Sequence, residues 1–477
     1  MKKEKKKIFV IVGAVVACLA VVYVGFGIFF QSHFCFGTTI DGIKAGGKSV
    51  EKVEQLITEE IDSYVLNLAE REDGSESISG ESIQIAPVFN GEVEELLNGQ
   101  NGFAWVVTLF KHDNLELAKV VTFDEDALDS QIDQLNCMQA SEQREPVDAT
   151  VSAYTADGYS LVPADYGTTI DKNTFKKAVE DSILVLADEL DLDEADCYVK
   201  PEIEDDNEKL LAVIDEMNSY VGTTITYDFD VAKEVLDGER ISEWLSVDDD
   251  LNLVVDEEGV LSFVKELASE YNTCYKPKEL KTSYGSTVTI SNGPYGWKIN
   301  NSEEVAQILD DLKAGKKVER EPVYAQTANS HGENDYGNSY VEINLTAQHL
   351  FLYKDGVLVT ESDFVSGNVA KGHATPGGAF MLTYKTLNAV LRGPDYETPV
   401  TYWMPFNGDI GMHDLTSRKA FGGDIYKTRG SHGCINLPYS AAKKIYETID
   451  KGYCVLVYNL PGTESDSVKQ KEAAAVV

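Results

Sequence analysis

The first thirty residues constrain the rest of the chain most. Residues 8–30 run 23 positions without a charged side chain, directly after a cluster formed by Lys2, Lys3, Lys5, Lys6 and Lys7. As a helix rising 1.5 Å per residue, such a stretch is about 35 Å long, enough to cross a bilayer. A cleaved signal peptide would carry a shorter apolar region, about 7–15 residues, and a small-x-small cleavage site. Gln31-Ser32-His33 offers no such site. The stretch therefore reads as an uncleaved, single-pass anchor. Flanking lysines stay cytoplasmic, so everything after Gln31 is expected outside the cell.

The 477 residues suggest about three domains, and 43% hydrophobic residues suffice for real cores. A net charge of −39 argues against a nucleic-acid partner, whose phosphates attract basic surfaces. It suits a secreted, self-repelling protein with a solvated surface. The seven cysteines show no C-x-x-C or zinc spacing. Cys18 falls in the span, and Cys454 alternates with apolar residues as a core strand residue does. Cys137 and Cys197 can form a disulfide outside the cell, but the irregular spacing is not a disulfide framework.

An aromatic-Gly-x-x-Ile-Asp/Asn string occurs three times. It reads Phe36-Gly37-Thr38-Thr39-Ile40-Asp41, Tyr166-Gly167-Thr168-Thr169-Ile170-Asp171 and Tyr295-Gly296-Trp297-Lys298-Ile299-Asn300, at intervals of 130 and 129 residues. Apolar-periodic helices follow at 50–61, 174–186 and 302–313. A second marker recurs: Phe123-Asp124-Glu125 precedes a helix over 127–135, and Val255-Asp256-Glu257 one over 260–270. Gly permits the tight turn, and Asp or Asn serves as a turn residue or N-terminal cap. These units read as two tandem α+β repeat domains, 34–201 and 202–324. Residues 325–339 are Asn-, Gly- and Ser-rich and read as a linker, and 461–477 as a disordered tail.

Residues 340–460 carry the chemistry. Strands are expected over 341–345, 349–354, 357–365, 380–385, 400–406, 410–413 and 453–458, with one helix near 439–449. That is a mostly-β, sandwich-like domain. Within it stands Ser431-His432-Gly433-Cys434-Ile435-Asn436, and His413-Asp414 lies upstream, with seventeen residues between His413 and Ser431. Cysteine acyl transfer needs a thiol that can ionise, an imidazole to take its proton and a group to orient that imidazole. A metal at His413, His432 and Cys434 is not expected without a fourth clustered ligand, and no cofactor is implied. Ser330-His331-Gly332 lacks a following cysteine and is given no function.

The pattern H-x(17)-S-H-G-C-I-N resembles the signature of the L,D-transpeptidases, the family with the YkuD-type catalytic domain. Tyr340-Val341-Glu342-Ile343-Asn344 with Gln348, Tyr353 and Asp355-Gly356 is similar to that domain's opening hairpin. Thr375-Pro376-Gly377-Gly378-Ala379-Phe380 is similar to its T-P-x-G-x-F turn. The repeats resemble the peptidoglycan-binding domains found in tandem ahead of such domains, on Tyr295-Gly296-Trp297-x-Ile299 and the trailing Pro322-Val323-Tyr324; glycan binding and simple spacing both remain open for them.

The resemblance implies Cys434 as nucleophile and His413 as its base. The orienter is the Asp414 backbone carbonyl, with the Asp414 carboxylate as the alternative. The N–H groups of Gly433 and Cys434 would form an oxyanion hole. Ser431 and His432 would shape the site, Asn436 would pin the loop or touch substrate, and Tyr396 would line the donor cleft. Tyr402, Trp403 and Met404 are expected in the core rather than the cleft.

The implied reaction takes a peptidoglycan tetrapeptide stem, expels its terminal D-alanine and passes the acyl group to an amine on a second stem, a 3→3 cross-link. Carbapenem-type β-lactams would acylate the same cysteine. An L,D-carboxypeptidase, with water as acceptor, would use the same residues. A non-catalytic wall-binding anchor is a third possibility. A sortase-like enzyme would want an Arg after the cysteine, whereas Arg429 precedes Cys434.

Overall fold

The computed structural model describes residues 2–117, 121–332, 334–393 and 396–465. The chain divides into two compact units, Met1–Val151 with Leu161–Asn207, and Ser152–Ser160 with Glu208–Val477. Most of the expected tail, 466–477, lies outside the described residues.

The first unit opens with helix α1 (Lys2–Phe29), the one described helix long and apolar enough to cross a membrane. Helix α2 (Val50–Asp62) starts at Ser49, whose hydroxyl accepts the Lys52 N–H, and buries Val53, Ile57 and Ile61 at four-residue steps. Strand β1 (Val65–Ala69) follows, with Leu66 and Leu68 inward, and pairs antiparallel with β2 (Ser75–Ser79). Helix α3 (Lys172–Leu184), capped by the Asp171 carboxylate, leads to β3 (Glu189–Asp191), parallel to β1. Phe175, Val179 and Ile183 complete the core with Cys197. Cys137 and Cys197 are both free thiols.

The second unit repeats that order of elements. Helix α4 (Glu208–Val221) leads to β4 (Thr224–Asp228), which pairs antiparallel with β5 (Lys233–Leu236). After helix α5 (Glu257–Tyr271), capped by Asp256, a hairpin of β6 (Lys278–Lys281) and β7 (Thr287–Ile290) intervenes. Helix α6 (Asn301–Lys313), capped by Asn300, then leads to β8 (Lys317–Arg320), parallel to β4. The helices after the second and third glycine strings, α3 and α6, therefore occupy the same place in this order. The first string instead enters the short antiparallel pair Thr38–Ile40 and Ile43–Lys44. It does not mark a third copy of the same element.

The C-terminal part of the second unit is built on two sheets. The five-stranded one comprises β9 (Tyr340–Asn344), β10 (His349–Lys354), β11 (Val357–Asp363), β12 (Gly378–Met381) and, from the chain's far end, Cys454–Tyr458, in the order β11-β10-β9-(454–458)-β12. The four-stranded sheet runs β13 (Thr386–Gly393), β14 (Tyr396–Asn407), β15 (Ile410–Asp414), β16 (Ile435–Leu437). Helix α7 (Ile425–Arg429) precedes β16, and α8 (Tyr439–Thr448) follows it. Both sheets and α8 share one core containing Val341, Leu352, Tyr402, Met404, Met412 and Ile445. Tyr402 and Met404 are thus core residues, and Trp403 is buried too.

Two expectations need correction here. The strand expected over 380–385 ends at Met381. From there the chain crosses between sheets: the Leu382 N–H donates to the Tyr453 carbonyl and the Thr383 N–H to the Pro405 carbonyl. The strand β13, which no segment was assigned to, then begins at Thr386.

The hairpin β6–β7 and residues 292–295 pack on the five-stranded sheet rather than on the repeat that contains them in sequence. Leu280, Ile290 and Tyr295 share a core with Ala379, Cys454, Leu456 and Tyr458. The Tyr295 N–H donates to the Ala379 carbonyl, and the Ala379 N–H to the Asn292 carbonyl. Gly293 sits between them at φ +129°, where a Cβ would lie 2.0 Å from the Ala379 oxygen. The carboxylate of Glu342, fully buried in β9, accepts from the Ser283 N–H (3.0 Å), the Ser283 hydroxyl (2.7 Å) and the Tyr458 hydroxyl (2.5 Å). Within the stretch read as a linker, Asp335 is buried and pairs with Lys278 at 2.5 Å. The first two residues of that stretch complete a strand (Tyr324–Gln326) paired with Lys298–Ile299, and the described residues after them are irregular, as their composition implies, but tied down.

Candidate active site

β15 is an inner strand, flanked by β14 and β16, and this burial shapes the imidazole's chemistry. Register sets His413 opposite Trp403 on one side and Asn436 on the other. His413 is 4% exposed, and its Nδ1 lies 2.9 Å from the backbone carbonyl of Asp414. A carbonyl can only accept, so Nδ1 carries the proton and Nε2 is left as the basic nitrogen. The Asp414 carboxylate is engaged elsewhere: its Oδ1 accepts the Thr401 and Tyr402 N–H groups, both at 2.8 Å. Of the two orienters, the carbonyl is therefore the one in contact. Burial lowers the imidazole pKa below its ordinary value, while the Asp414 carbonyl and carboxylate pull the other way.

The Ser431–Cys434 segment is a tight loop between α7 and β16. The Ser431 hydroxyl donates to the Cys434 carbonyl at 2.6 Å and accepts the Gly433 N–H at 3.0 Å. Gly433 has φ +124°, a region that L side chains rarely enter. The flanks are clamped by 365–368. The Ser431 N–H donates to the Ser366 carbonyl, the Asn368 N–H to Ser431, and Val365 and Asn436 exchange both backbone bonds. From the T-P-x-G turn, the buried Thr375 hydroxyl donates to the Gly433 carbonyl at 2.7 Å.

The Gly433 N–H was expected to face a developing oxyanion. In this structure it is turned inward to Ser431 Oγ, because the positive φ at Gly433 folds the loop back on itself.

The Cys434 thiol donates to the Asp409 carbonyl at 3.5 Å. Burial raises its pKa, the Gly411 N–H beside the sulfur opposes this, and Asp409 adds to the rise. Both shifts favour the neutral forms, the thiol of Cys434 and the neutral imidazole of His413. Cys434 and His413 line one cleft of about 190 Å³, with Ser431, His432 and Asn436. The His432 ring lies 5.0 Å from that of His373. Asn436 pins the loop through its backbone, and its buried Oδ1 has no hydrogen-bond partner among the described residues. The Tyr396 side chain lies outside the described residues.

Sequence reading missed other residues of this cleft. Leu391 and Thr398 come from the β13–β14 pair, and Arg418 from the loop before α7. One Arg418 Nη donates to the Arg429 carbonyl at 3.0 Å, but its buried Nε has no partner among the described residues. No ion pair neutralises it among the described residues. A chain with 80 acidic and 41 basic residues could readily have placed a carboxylate there. Nothing in the local sequence around Arg418 signals this; Thr375, by contrast, stood within a quoted motif.

Two parts of the chain match known families. Residues 338–457 match the family described as the YkuD L,D-transpeptidase catalytic domain, and residues 206–320 match a family described as peptidoglycan-binding. Among solved structures, the Ldtfm–avibactam carbamoyl enzyme is 33% identical, covering 52% of this chain and 98% of that one, with a TM-score of 0.43. A cysteine-to-serine mutant of the Enterococcus faecium L,D-transpeptidase is 32% identical, covering 51% and 99%, at a TM-score of 0.43. The catalytic domain of the E. faecium enzyme acylated by ertapenem is 43% identical over 25% of this chain and 97% of that one, at a TM-score of 0.24. A search of curated proteins found no match.

Proposed function

The chain belongs to the L,D-transpeptidase family, and from that premise we propose that it is a membrane-anchored acyltransferase that forms 3→3 cross-links in peptidoglycan through a Cys434 acyl-enzyme. One observation carries the reading: His413 is held with Nε2 basic, in the same cleft as the Cys434 thiol.

The steps start from the neutral thiol and the neutral imidazole. His413 Nε2 takes the thiol proton as Cys434 Sγ attacks the carbonyl of the third stem residue, a general-base step. The tetrahedral intermediate collapses, His413 returns the proton to the departing amine, and D-alanine leaves. An amine of a second stem attacks the thioester, His413 Nε2 takes a proton from that amine, the C–S bond breaks, and His413 passes the proton to the departing Cys434 sulfur. Asp414 acts through its carbonyl, which fixes the imidazole tautomer. Ser431 and Gly433 hold the loop, and His432 and the Asn436 Oδ1 face the donor. Arg418 receives a carboxylate of the donor, which satisfies its buried Nε. The two repeats with matching element order are copies of one peptidoglycan-binding design. Residues 8–30 span the membrane with the lysines inside, and the catalytic domain faces the wall.

The test uses a disaccharide-tetrapeptide and intact mass. A dimer lacking one D-alanine, absent with Cys434→Ala, supports the transpeptidase. D-alanine loss without dimer would replace it with a carboxypeptidase. Exposure to ertapenem gives a covalent adduct on the wild type and none on Cys434→Ala. No product and no adduct would sink the enzyme.

A further inference from the structure

Residues 96–110 form a second charge-free stretch, fifteen positions long, in a chain with 25% charged residues. Leu97 is buried in the core of the first unit and Leu96 packs against it, but the apolar side chains that follow are not collected there. Phe103, Val106, Val107, Leu109 and Phe110 are all exposed, Phe110 by 86%. In water this is an unfavourable arrangement, since each such side chain is worth about 1.5–3 kcal/mol when buried. What lies beside the stretch is α1.

The stretch meets α1 at graded depths. Gln100 sits at the helix's outer end: its Nε2 donates to the Phe30 and His33 carbonyls, both at 2.7 Å, and its Oε1 accepts the Cys35 N–H. One step further, Gly102 approaches so closely that a Cβ there would lie 2.9 Å from the Gly27 oxygen. Deeper still, the Tyr23 hydroxyl donates to the Phe103 carbonyl at 2.8 Å, and Trp105 Nε1 donates to the Tyr23 carbonyl at 3.2 Å. Gly27 leaves room for the Phe103 ring, which a Cβ there would meet at 2.3 Å. The chain then returns, with the Thr108 carbonyl beside Gly37. Tyr23 is seven residues inside Phe30, about 10 Å along the helix axis.

We propose that residues 100–111 are a short re-entrant segment seated in the outer leaflet, with Phe103, Trp105, Val107 and Phe110 in the acyl-chain region. This rests on the reading of 8–30 as a membrane span. If that helix crosses the bilayer, a segment bonded to Tyr23 lies within the outer half of the roughly 30 Å hydrocarbon layer. Four backbone N–H groups of the segment have protein partners, as lipid demands. The Phe103 N–H donates to Asn101 Oδ1, the Ala104 N–H to the Asn101 carbonyl, and the Phe110 and Lys111 N–H groups to the Val107 carbonyl. The segment would hold the extracellular part of the first unit against the bilayer surface, so that the anchor is a two-element device rather than a free tether.

The test places the full chain in vesicles of phosphatidylcholine carrying bromine on the acyl chains and reads tryptophan emission. Trp244, Trp297 and Trp403 are buried in the second unit, whereas Trp105 faces α1. Acyl-chain bromine is expected to quench the wild type, and Trp105→Phe to remove most of that quenching. Val107→Asp with Phe110→Asp is expected to reduce it at least two-fold while the melting temperature of the extracellular part stays put. Flotation with the vesicles without quenching, or quenching unchanged in Trp105→Phe, would overturn the re-entrant segment and leave the anchor intact. Failure to float at all would overturn the anchor and this inference with it.

Discussion

Thr375 Oγ1 donates to the Gly433 carbonyl at 2.7 Å and accepts the Gly367 N–H at 3.0 Å, joining the T-P-x-G turn to the loop that presents the nucleophile. Thr375→Val keeps the shape and removes both bonds. Two buried backbone groups lose their partner, at about 1–3 kcal/mol for each. The melting temperature should fall, and kcat should fall further than stability alone explains, because the carbonyl next to Cys434 is freed. Thr375→Ser should restore both. Differential scanning calorimetry and steady-state kinetics on the tetrapeptide check this.

The buried His413 imidazole has a lowered pKa, so the base remains neutral to more acid pH than an ordinary histidine of pKa about 6.5. The acid limb of kcat/KM is therefore expected below pH 6.5. Stability has the matching sign. The unfolded imidazole takes a proton near pH 6.5 while the folded one does not, so stability is present above that pH and falls as pH drops through the folded value. His413→Asn should abolish turnover and flatten this slope. An acid limb above pH 7 would contradict the assignment of His413 as the neutral base.

Asp414→Asn separates the two candidate orienters. The carboxylate only receives the Thr401 and Tyr402 N–H groups, and the Asn side-chain oxygen can still accept them. The acid limb of the pH profile should move to lower pH, because the carboxylate charge that supports the imidazolium is lost, with kcat within about three-fold, under 1 kcal/mol. Asp414→Ala should cost about 1–3 kcal/mol in stability, since two N–H groups are left unpaired. A loss of kcat in Asp414→Asn as large as that of a missing base would make the carboxylate the orienter instead.

Arg418→Gln should raise KM for the tetrapeptide about ten-fold or more with a smaller change in kcat, as expected when a charge-assisted bond worth about 1.5–3 kcal/mol is lost. Arg418→Lys should recover part of the loss. A donor ending in D-alaninamide tells which carboxylate is read: if it is the terminal one, the amide is a poor donor for the wild type and equally poor for both enzymes. Unchanged KM in Arg418→Gln would dismiss the anion subsite.

Lys278 and Asp335, each with a side chain 4% exposed, tie the segment before the catalytic domain to the β6–β7 hairpin. Lys278→Met leaves a buried carboxylate with the Thr273 hydroxyl as its remaining partner, and should cost about 3–5 kcal/mol. Lys278→Met with Asp335→Leu should recover most of that, since no charge is left buried. Chemical denaturation of the three proteins gives the comparison.

Much of this was readable before any coordinates. The apolar span, the caps at Asp124, Asp171, Asp256 and Asn300, and the His413…Cys434 spacing depend on neighbours along the chain, and local chemistry decides them. The choice of the Asp414 carbonyl over its carboxylate was not readable. It depends on where β14 places the Thr401 and Tyr402 N–H groups. The inward turn of the Gly433 N–H, the unpaired Nε of Arg418, the docking of 278–295 on the five-stranded sheet and the return of Phe103 to Tyr23 were equally hidden. Each brings together groups whose meeting is set by the path of the intervening chain, and one sequence carries no record of which buried donor will find which acceptor. The sequence by itself determined which residue types can do the chemistry and how far apart they stand. Tertiary structure alone decided their protonation, their hydrogen-bond partners and the surfaces left over, because burial and orientation are properties of the packed fold.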